Sequence, residues 1–492
     1  MKFLDDEQRF QVGFSFVMDQ LRIITPYGAE EKKKIKPYKI DEDISLKKEL
    51  DDIENMINHM KLYDSDFNDI ERIFHKVKDI RNTVKRVKSG EVLDEVELYE
   101  IKYISMLLEE LKCILTKINL DIEKIKLYSL EKVVDILDPE NKRMSTFYIY
   151  EEYSKELREI RRRKISKEKE IFLCESEEET ERLKQERLNI VIEEEEEELR
   201  IRKDLTLRLL SFSEQIEHNL KVIGILDLLM AKAFIAIKYN CVKPIISDDI
   251  NIKIVDSINP AIADVLEKKG KCFTPVNIEL KGGTTVITGA NMGGKSVALK
   301  TIVLNLLLGQ MGFFVFAKEA IYPLLDFIYF ISDDMQSISK GLSTFGAEII
   351  KLKEVVECVK RQNGFVALDE FARGTNPKEG FFLVKSLANY LQRFNTVSII
   401  STHYDGIADD NMVHYQVVGL KNIDFNKLKY KIDLNKAHSV EIIQEHMEYK
   451  LEKVSKESMV PKDALNIAML LGLERDIVDI AKTYYQEEYN GK

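Results

Sequence analysis

The sequence predicts an α-helical N-terminal core with a coiled-coil arm, followed by an α/β domain that ends in a helical segment. Three observations predict it. A glycine-rich run, Thr288-Gly289-Ala290-Asn291-Met292-Gly293-Gly294-Lys295-Ser296, lies between a strand-like segment and a helical one. Residues 150–235 lack proline, hold a single glycine (Gly224) and are dense in Glu, Lys and Arg. The composition then changes near Val242-Lys243-Pro244, and strand-like and helical patterns alternate from there to about residue 420. Such alternation marks a mostly parallel sheet covered by helices.

The elements follow in order. Residues 1–145 form a helical core. One stripe at helical spacing is Ile53, Met56, Ile57, Met60 and Leu62; another is Leu107, Leu108, Leu111 and Ile114. Both read as core faces. Residues 146–240 form one or two long helices, an antiparallel coiled-coil arm and its return to the core. Inside the arm, Arg161-Arg162-Arg163-Lys164 and the Glu193–Glu198 run are opposite charge blocks. They read first as two solvated faces that pair with each other, and second as a basic block able to touch DNA. Residues 241–440 form the α/β domain, and residues 441–492 return to helix.

Composition bounds the rest. A chain of 492 residues holds roughly three domains. Hydrophobic residues at 45% can build sizeable cores, and 32% charged residues favour long solvated helices. General nucleic-acid binders are more often basic, so with a net charge of −11 any DNA contact must come from local patches. Cys113, Cys174, Cys241, Cys272 and Cys358 are scattered and form no C-x-x-C pair. They indicate neither a disulfide framework nor a zinc site. The acidic start, Met1 to Asp6, is no secretory signal. The most apolar stretch, Ile302 to Phe316, is interrupted by Asn305, Gly309, Gln310 and Gly312 and is too short and polar to span a bilayer. A reducing, cytoplasmic location without a membrane partner is the expectation.

The glycine run has the spacing G-x-x-x-x-G-K-[ST] of a phosphate-binding P-loop. Gly289, Gly293 and Gly294 let the backbone curl so that its N–H groups, those of Ala290, Asn291 and Met292 among them, point at phosphate oxygens. Lys295 can reach the β and γ phosphates, and Ser296 can hold Mg²⁺. The apolar strand Phe365-Val366-Ala367-Leu368 ends in two acids, Asp369 and Glu370. Asp369 suits a Mg²⁺-holding role, and Glu370 suits activation of the attacking water. A second apolar strand, Ser398-Ile399-Ile400-Ser401, leads into Thr402 and His403. Ligands gather at the carboxyl ends of such strands, so His403 is placed to sense the γ-phosphate. The segment Asp333 to Phe345 is a polar loop entering a helix; its Ser343-Thr344 reads as an N-cap or as a helix start that meets a phosphate from a neighbouring subunit.

These pieces resemble the ATPase domain of the MutS family. The matching segments are TGANMGGKS at 288–296, LSTFGAE at 342–348, ALDEFARGTNPKEG at 367–380 and STHY at 401–404. Several look closer to the second bacterial MutS branch than to the mismatch-repair enzyme. The pattern Ile70, Arg81, Leu93, Glu97 and Leu98 is similar to the helical core of that branch, and Pro461 to Lys482 resembles the helical dimerisation segment. The resemblance implies an ABC/MutS-type P-loop NTPase that binds ATP and Mg²⁺ and forms a homodimer with two composite sites. It also implies that Ser343 contacts the γ-phosphate bound in the other subunit and that Thr375 lies at the same interface. The family's Arg-His-Pro ahead of the P-loop strand is here Ile258-Asn259-Pro260, and its loop proline is here Ala290. No space for a mismatch-reading domain is expected before residue 40. Phe212-Ser213-Glu214, the one textual match to the family's DNA wedge, reads as packing in a helix. Two functions are compatible with this: a clamp-type ATPase that binds DNA weakly and without mismatch preference, or the ATPase subunit of a reactivase for an adenosylcobalamin-dependent lysine aminomutase.

Overall fold

The computed structural model describes residues 3–143, 148–289, 294–332, 344–420, 447–454 and 463–490. The N-terminal part is helical: α1 (Asp6–Gln11), α2 (Phe14–Gln20), α3 (Pro26–Lys33), α4 (Asp43–Leu62), α5 (Asp64–Phe74), α6 (Arg81–Ser89), α7 (Glu95–Lys117), α8 (Glu131–Leu137), α9 (Lys155–Leu173), α10 (Glu177–Leu210) and α11 (Ser213–Lys238). Strands and helices then alternate: β1 (Ile245–Ser247), β2 (Asn251–Ser257), α12 (Pro260–Glu267), β3 (Val276–Lys281), β4 (Gly283–Thr288), α13 (Lys295–Gln310), β5 (Glu319–Pro323), β6 (Ile328–Ser332), α14 (Thr344–Val359), β7 (Phe365–Asp369), α15 (Pro377–Leu391), β8 (Val397–Ser401), β9 (Val413–Gly419) and β10 (Glu448–Lys453). Helices Asp463–Leu470 and Arg475–Asn490 follow. The chain forms two compact units: residues 22–35 and 55–233 in one, and residues 1–21, 36–54 and 234–492 in the other.

The expected stripes are buried in part: Ile53, Met56 and Ile57 are buried, Met60 and Ile114 are half-buried, and Leu62 is 75% exposed at the end of α4 rather than in a core. Leu107, Leu108 and Leu111 of α7 are buried. The Asp94 side chain caps α7 in a capping box with Glu97, satisfying amide groups that the first turn leaves open. α3 and α11 meet through glycines: a Cβ on Gly28 would lie 2.3 Å from the Asp227 carboxylate, and one on Gly224 would lie 2.7 Å from the Tyr27 carbonyl. That close approach lets buried Asp227 accept from the amides of Ile24 and Thr25 and from the Thr25 hydroxyl. Burial pushes the Asp227 carboxyl up, and these hydrogen bonds oppose the shift.

α9 and α10 form an antiparallel helical hairpin closed by charge. Arg187 pairs with Glu168 at 2.7 Å, Lys167 with Glu186 at 3.0 Å, and Arg161 with Glu194 at 3.0 Å and Glu198 at 2.9 Å. Arg161 is only 8% exposed, and it also donates to the Ile149 carbonyl at 2.8 Å. Burial works against its charge, but the two glutamates more than compensate and hold the guanidinium firmly protonated. Arg163 pairs with Glu193, and Lys164 with Glu194. The two charge blocks therefore meet each other, and Arg161, a candidate DNA-binding residue on sequence alone, is committed to packing.

The mixed α/β unit holds two sheets, with strand orders β1-β5-β2-β3 and β10-β9-β4-β8-β7-β6. In the larger sheet β9, β4, β8, β7 and β6 are parallel, and β10 is antiparallel to β9. β4, β7 and β8 are buried along their whole length, as expected for strands covered on both faces. α13 is buried at most positions, which explains its near-continuous apolar sequence. The side-chain amide of Asn305 in α13 accepts from the Phe316 amide at 2.7 Å and donates to the carbonyls of Thr301 and Ile258. Asn259, at the family's Arg-His-Pro position, is buried, caps α12 and donates to the Val12 carbonyl at 2.9 Å.

Candidate functional site

The strand register sets the site. Ile287 of β4 pairs with Ser401 of β8, and Ser401 pairs with Asp369 of β7. The carboxyl ends of three adjacent parallel strands therefore lie within one residue of each other, β4 running one further to Thr288, and Gly289, Glu370 and Thr402 follow them at the same edge. Open α/β sheets bind ligands at this edge.

Gly289 has φ +140°, and a Cβ there would lie 3.1 Å from that of Val417. Conformation and space both require glycine. Gly294, at φ +86°, precedes the first turn of α13, and a Cβ on it would lie 3.0 Å from the Tyr449 ring. Ala290, Asn291, Met292 and Gly293 lie outside the described residues, as does Ser343. Lys295 opens α13 and is 4% exposed. Its ammonium donates to the Gly289 carbonyl at 2.8 Å and lies 3.3 Å from the Glu370 carboxylate. Burial pulls its pKa down, and Glu370 opposes that.

Asp369 is buried, and the Ser401 hydroxyl donates to its Oδ1 at 2.5 Å. Burial raises its pKa against the hydroxyls of Ser401 and Ser296. Ser296 and Asp369 thus place two hard oxygen donors side by side, the ligand chemistry that suits Mg²⁺. Among the described residues no group of three or more His, Cys, Asp or Glu could hold a metal; a Mg²⁺ ion here would complete its shell with phosphate oxygens and water.

Glu370 adopts φ +50° and Ala372 φ +61°. This region costs a non-glycine residue roughly 1–2 kcal/mol, so neighbouring groups must hold the turn. The Glu370 amide donates to the Ser401 carbonyl at 3.1 Å. Its carboxylate lies between Lys295 and Arg373, the latter at 2.8 Å. The Ala372 amide donates to the buried carboxylate of Glu348 at 3.1 Å. Charge-assisted bonds of this kind contribute about 1.5–3 kcal/mol each, comparable to the strain.

His403 is exposed beside Tyr404, ring centroids 4.2 Å apart. Partial burial of the ring lowers its pKa, with Glu370 pulling the other way, so the ring is neutral near pH 7. Thr375 sits half-buried in the turn before Asn376, whose side chain caps α15. Gly380 lets α15 approach this turn: a Cβ on it would lie 2.5 Å from the Tyr404 hydroxyl and 2.9 Å from the Ala372 carbonyl.

The structure thus brings Gly289, Lys295, Ser296, Asp369 and Glu370 together, with His403 near enough to feel their charges. Sequence reasoning missed Arg373, Glu348 and Tyr449 as parts of this site. Arg373 and Glu348 stand in the quoted motifs, yet nothing in their spacing shows what they touch. Tyr449 lies on β10, inside the stretch 441–492 expected to return to helix; the alternation Glu448-Tyr449-Lys450-Leu451-Glu452 is the strand signal there, and it pairs with β9 instead.

Among the described residues no helix is long and apolar enough to cross a membrane. Residues 285–483 match MutS domain V. The chain is 28% identical over 232 residues to the DNA mismatch repair protein MutS of Staphylococcus aureus, covering 46% of this chain and 26% of that protein. It is 30% identical over 296 residues to the endonuclease MutS2 of Carboxydothermus hydrogenoformans, covering 59% of this chain and 34% of that protein. The chain therefore spans about a quarter to a third of the length of these relatives. Residues 285–483 thus carry a match to MutS domain V, and the chain is similar to MutS-family proteins.

Proposed function

We propose that this chain is a Mg²⁺-dependent ATPase that works as a homodimer on DNA. The observation that carries the catalytic part is the meeting of Lys295, Asp369 and Glu370 at adjacent strand ends, with the Lys295 ammonium 3.3 Å from Glu370. In this reading the Gly289–Ser296 loop is a P-loop that cradles phosphates, and Lys295 turns from Glu370 to the β and γ phosphates. Bound Mg²⁺, held by Ser296 and through water by Asp369, would neutralise developing phosphate charge. Glu370 orients and deprotonates the attacking water, and His403 senses the γ-phosphate. Ser343 and Thr375 act across the dimer interface. Exposed Leu471, Leu473, Ile477, Ile480 and Tyr484 support the final helices, Asp463–Leu470 and Arg475–Asn490, as the dimerisation part of the expected 441–492 segment, whose β10 belongs to the larger sheet. The linear division into residues 1–145, 146–240, 241–440 and 441–492 belongs to the same reading.

The DNA client rests on the relatives, a DNA mismatch repair protein and an endonuclease. Neither relative supports the aminomutase-reactivase alternative. The charge-paired hairpin supports weak DNA binding, micromolar or poorer, and the reading keeps the expectation of no mismatch preference. Steady-state ATP hydrolysis with and without Mg²⁺ tests the enzyme, and no Mg²⁺-dependent turnover would refute it. Anisotropy titrations with homoduplex, mismatched and branched DNA at several salt concentrations test the client; binding should weaken steeply with salt. Tight mismatch-selective binding would overturn the weak, unselective DNA reading, and no binding to any DNA would redirect the search to a protein client.

A further inference from the structure

The turn after β7 carries two left-handed non-glycine residues, Glu370 and Ala372, on either side of buried Phe371. One of the groups that hold it comes from α14, outside the turn and its strands. Glu348 is 4% exposed, and its carboxylate accepts from the Ala372 amide at 3.1 Å. We infer that Glu348 is a positioning residue for hydrolysis: by fixing the Ala372 amide it fixes the backbone that aims the Glu370 carboxylate. This role depends on the ATPase reading and adds to it a residue that touches neither nucleotide nor metal.

The physical reason is leverage. Glu370 is two residues from the Ala372 amide, and both hold a conformation that an unrestrained turn leaves. Without the Glu348 carboxylate, the turn relaxes and the Glu370 side chain shifts. A general base misplaced by about 1 Å can cost 10²-fold in rate. The phosphate-binding side of the site is built on β4 and α13 and stays in place. Glu348 should therefore act on turnover and leave nucleotide affinity alone.

The test compares Glu348→Ala, Glu348→Asp and Glu348→Gln in the full-length protein. Three quantities are read: kcat for ATP, Kd for a fluorescent ATP analogue, and amide hydrogen exchange of the peptide containing Ala372. Glu348→Ala should lower kcat by about 10- to 100-fold, hold Kd within about twofold, and speed exchange at Ala372. Should that variant fail to fold, Glu348→Asp keeps the charge but draws the carboxylate back by one methylene, and carries the same expectation. Glu348→Gln keeps an oxygen able to accept from the Ala372 amide, so it should restore kcat to within about threefold. Undiminished kcat in the Ala and Asp variants would overturn the inference. So would a Gln variant as impaired as Ala, or a Kd that rises in step with the fall in kcat. An inactive wild type with a normal exchange difference would overturn the ATPase reading and leave the Glu348 hydrogen bond standing.

Discussion

Two regions of this molecule bury a cation against glutamate and put the pair to different use. In the α9–α10 hairpin, Arg161 is met by Glu194, Glu198 and a backbone carbonyl, on helices with ordinary backbone. At the sheet edge, Lys295 meets Glu370, which is held at φ +50°. The environments shift the two cations oppositely: the guanidinium of Arg161 rises above its usual range, whereas burial lowers Lys295. A buried pair can therefore serve either as a lock or as a switch. Where the cation is partnered on all sides and the backbone is relaxed, the pair locks two helices together. Where the backbone is strained and the pair stands at a strand edge, the proposed function has the ammonium leave Glu370 for a phosphate, with which it forms a charge-assisted bond.

Substitutions at the sheet edge should have the greatest consequences. Lys295→Ala should raise the ATP Kd by about 100-fold or more, since two charge-assisted phosphate hydrogen bonds disappear; titration with a fluorescent nucleotide reads it. Unchanged affinity would mean that Lys295 belongs with Arg161 as a structural cation. Glu370→Gln should leave that Kd in place and cut turnover by about 10²–10⁴; full turnover would remove Glu370 as general base.

The hairpin should answer in stability. Arg161→Ala leaves Glu194 and Glu198 without their main partner, and removing one member of a buried pair costs roughly 3–5 kcal/mol. Arg163→Ala, at an exposed pair, should cost less than about 1 kcal/mol. Denaturant unfolding of both variants, followed by circular dichroism, checks the contrast; equal effects would erase it.

A weaker response is expected from pH. His403 and His414 both sit below the usual value of 6.5, mainly through burial, and His414 Nε2 lies 2.8 Å from the Thr288 hydroxyl. The folded state resists their protonation, so the unfolded chain takes up protons first as pH falls. Stability present above about pH 6.5 should drain away below it. Melting temperature measured from pH 7.5 to 5.5 should fall, and His414→Gln should flatten the fall. A slope unchanged by that substitution would assign the effect to other groups.

Much of this was legible in the chain because it is local. Charge density without proline or glycine dictates long helices, and an apolar strand ending in Asp369-Glu370 dictates where two carboxylates emerge. The G-x-x-x-x-G-K-[ST] spacing marks the strand-to-helix turn whatever surrounds it. The opposite charge blocks even foretold the hairpin's pairing, because antiparallel helices bring Arg161 to Glu194. The features that had to wait for the folded molecule are non-local. Residues 1–21 and 36–54 join the sheet unit, a choice no periodicity encodes. That Arg161 and Lys295 are both buried against glutamate, one between two helices and one at a strand edge, depends on tertiary packing that a sequence window does not contain. That Ala372 takes φ +61° and leans on Glu348 is stranger still to sequence rules, since propensity would place glycine there. Its conformation is set by a carboxylate from another helix, and interactions across the fold override local preference when their energy exceeds the strain they impose.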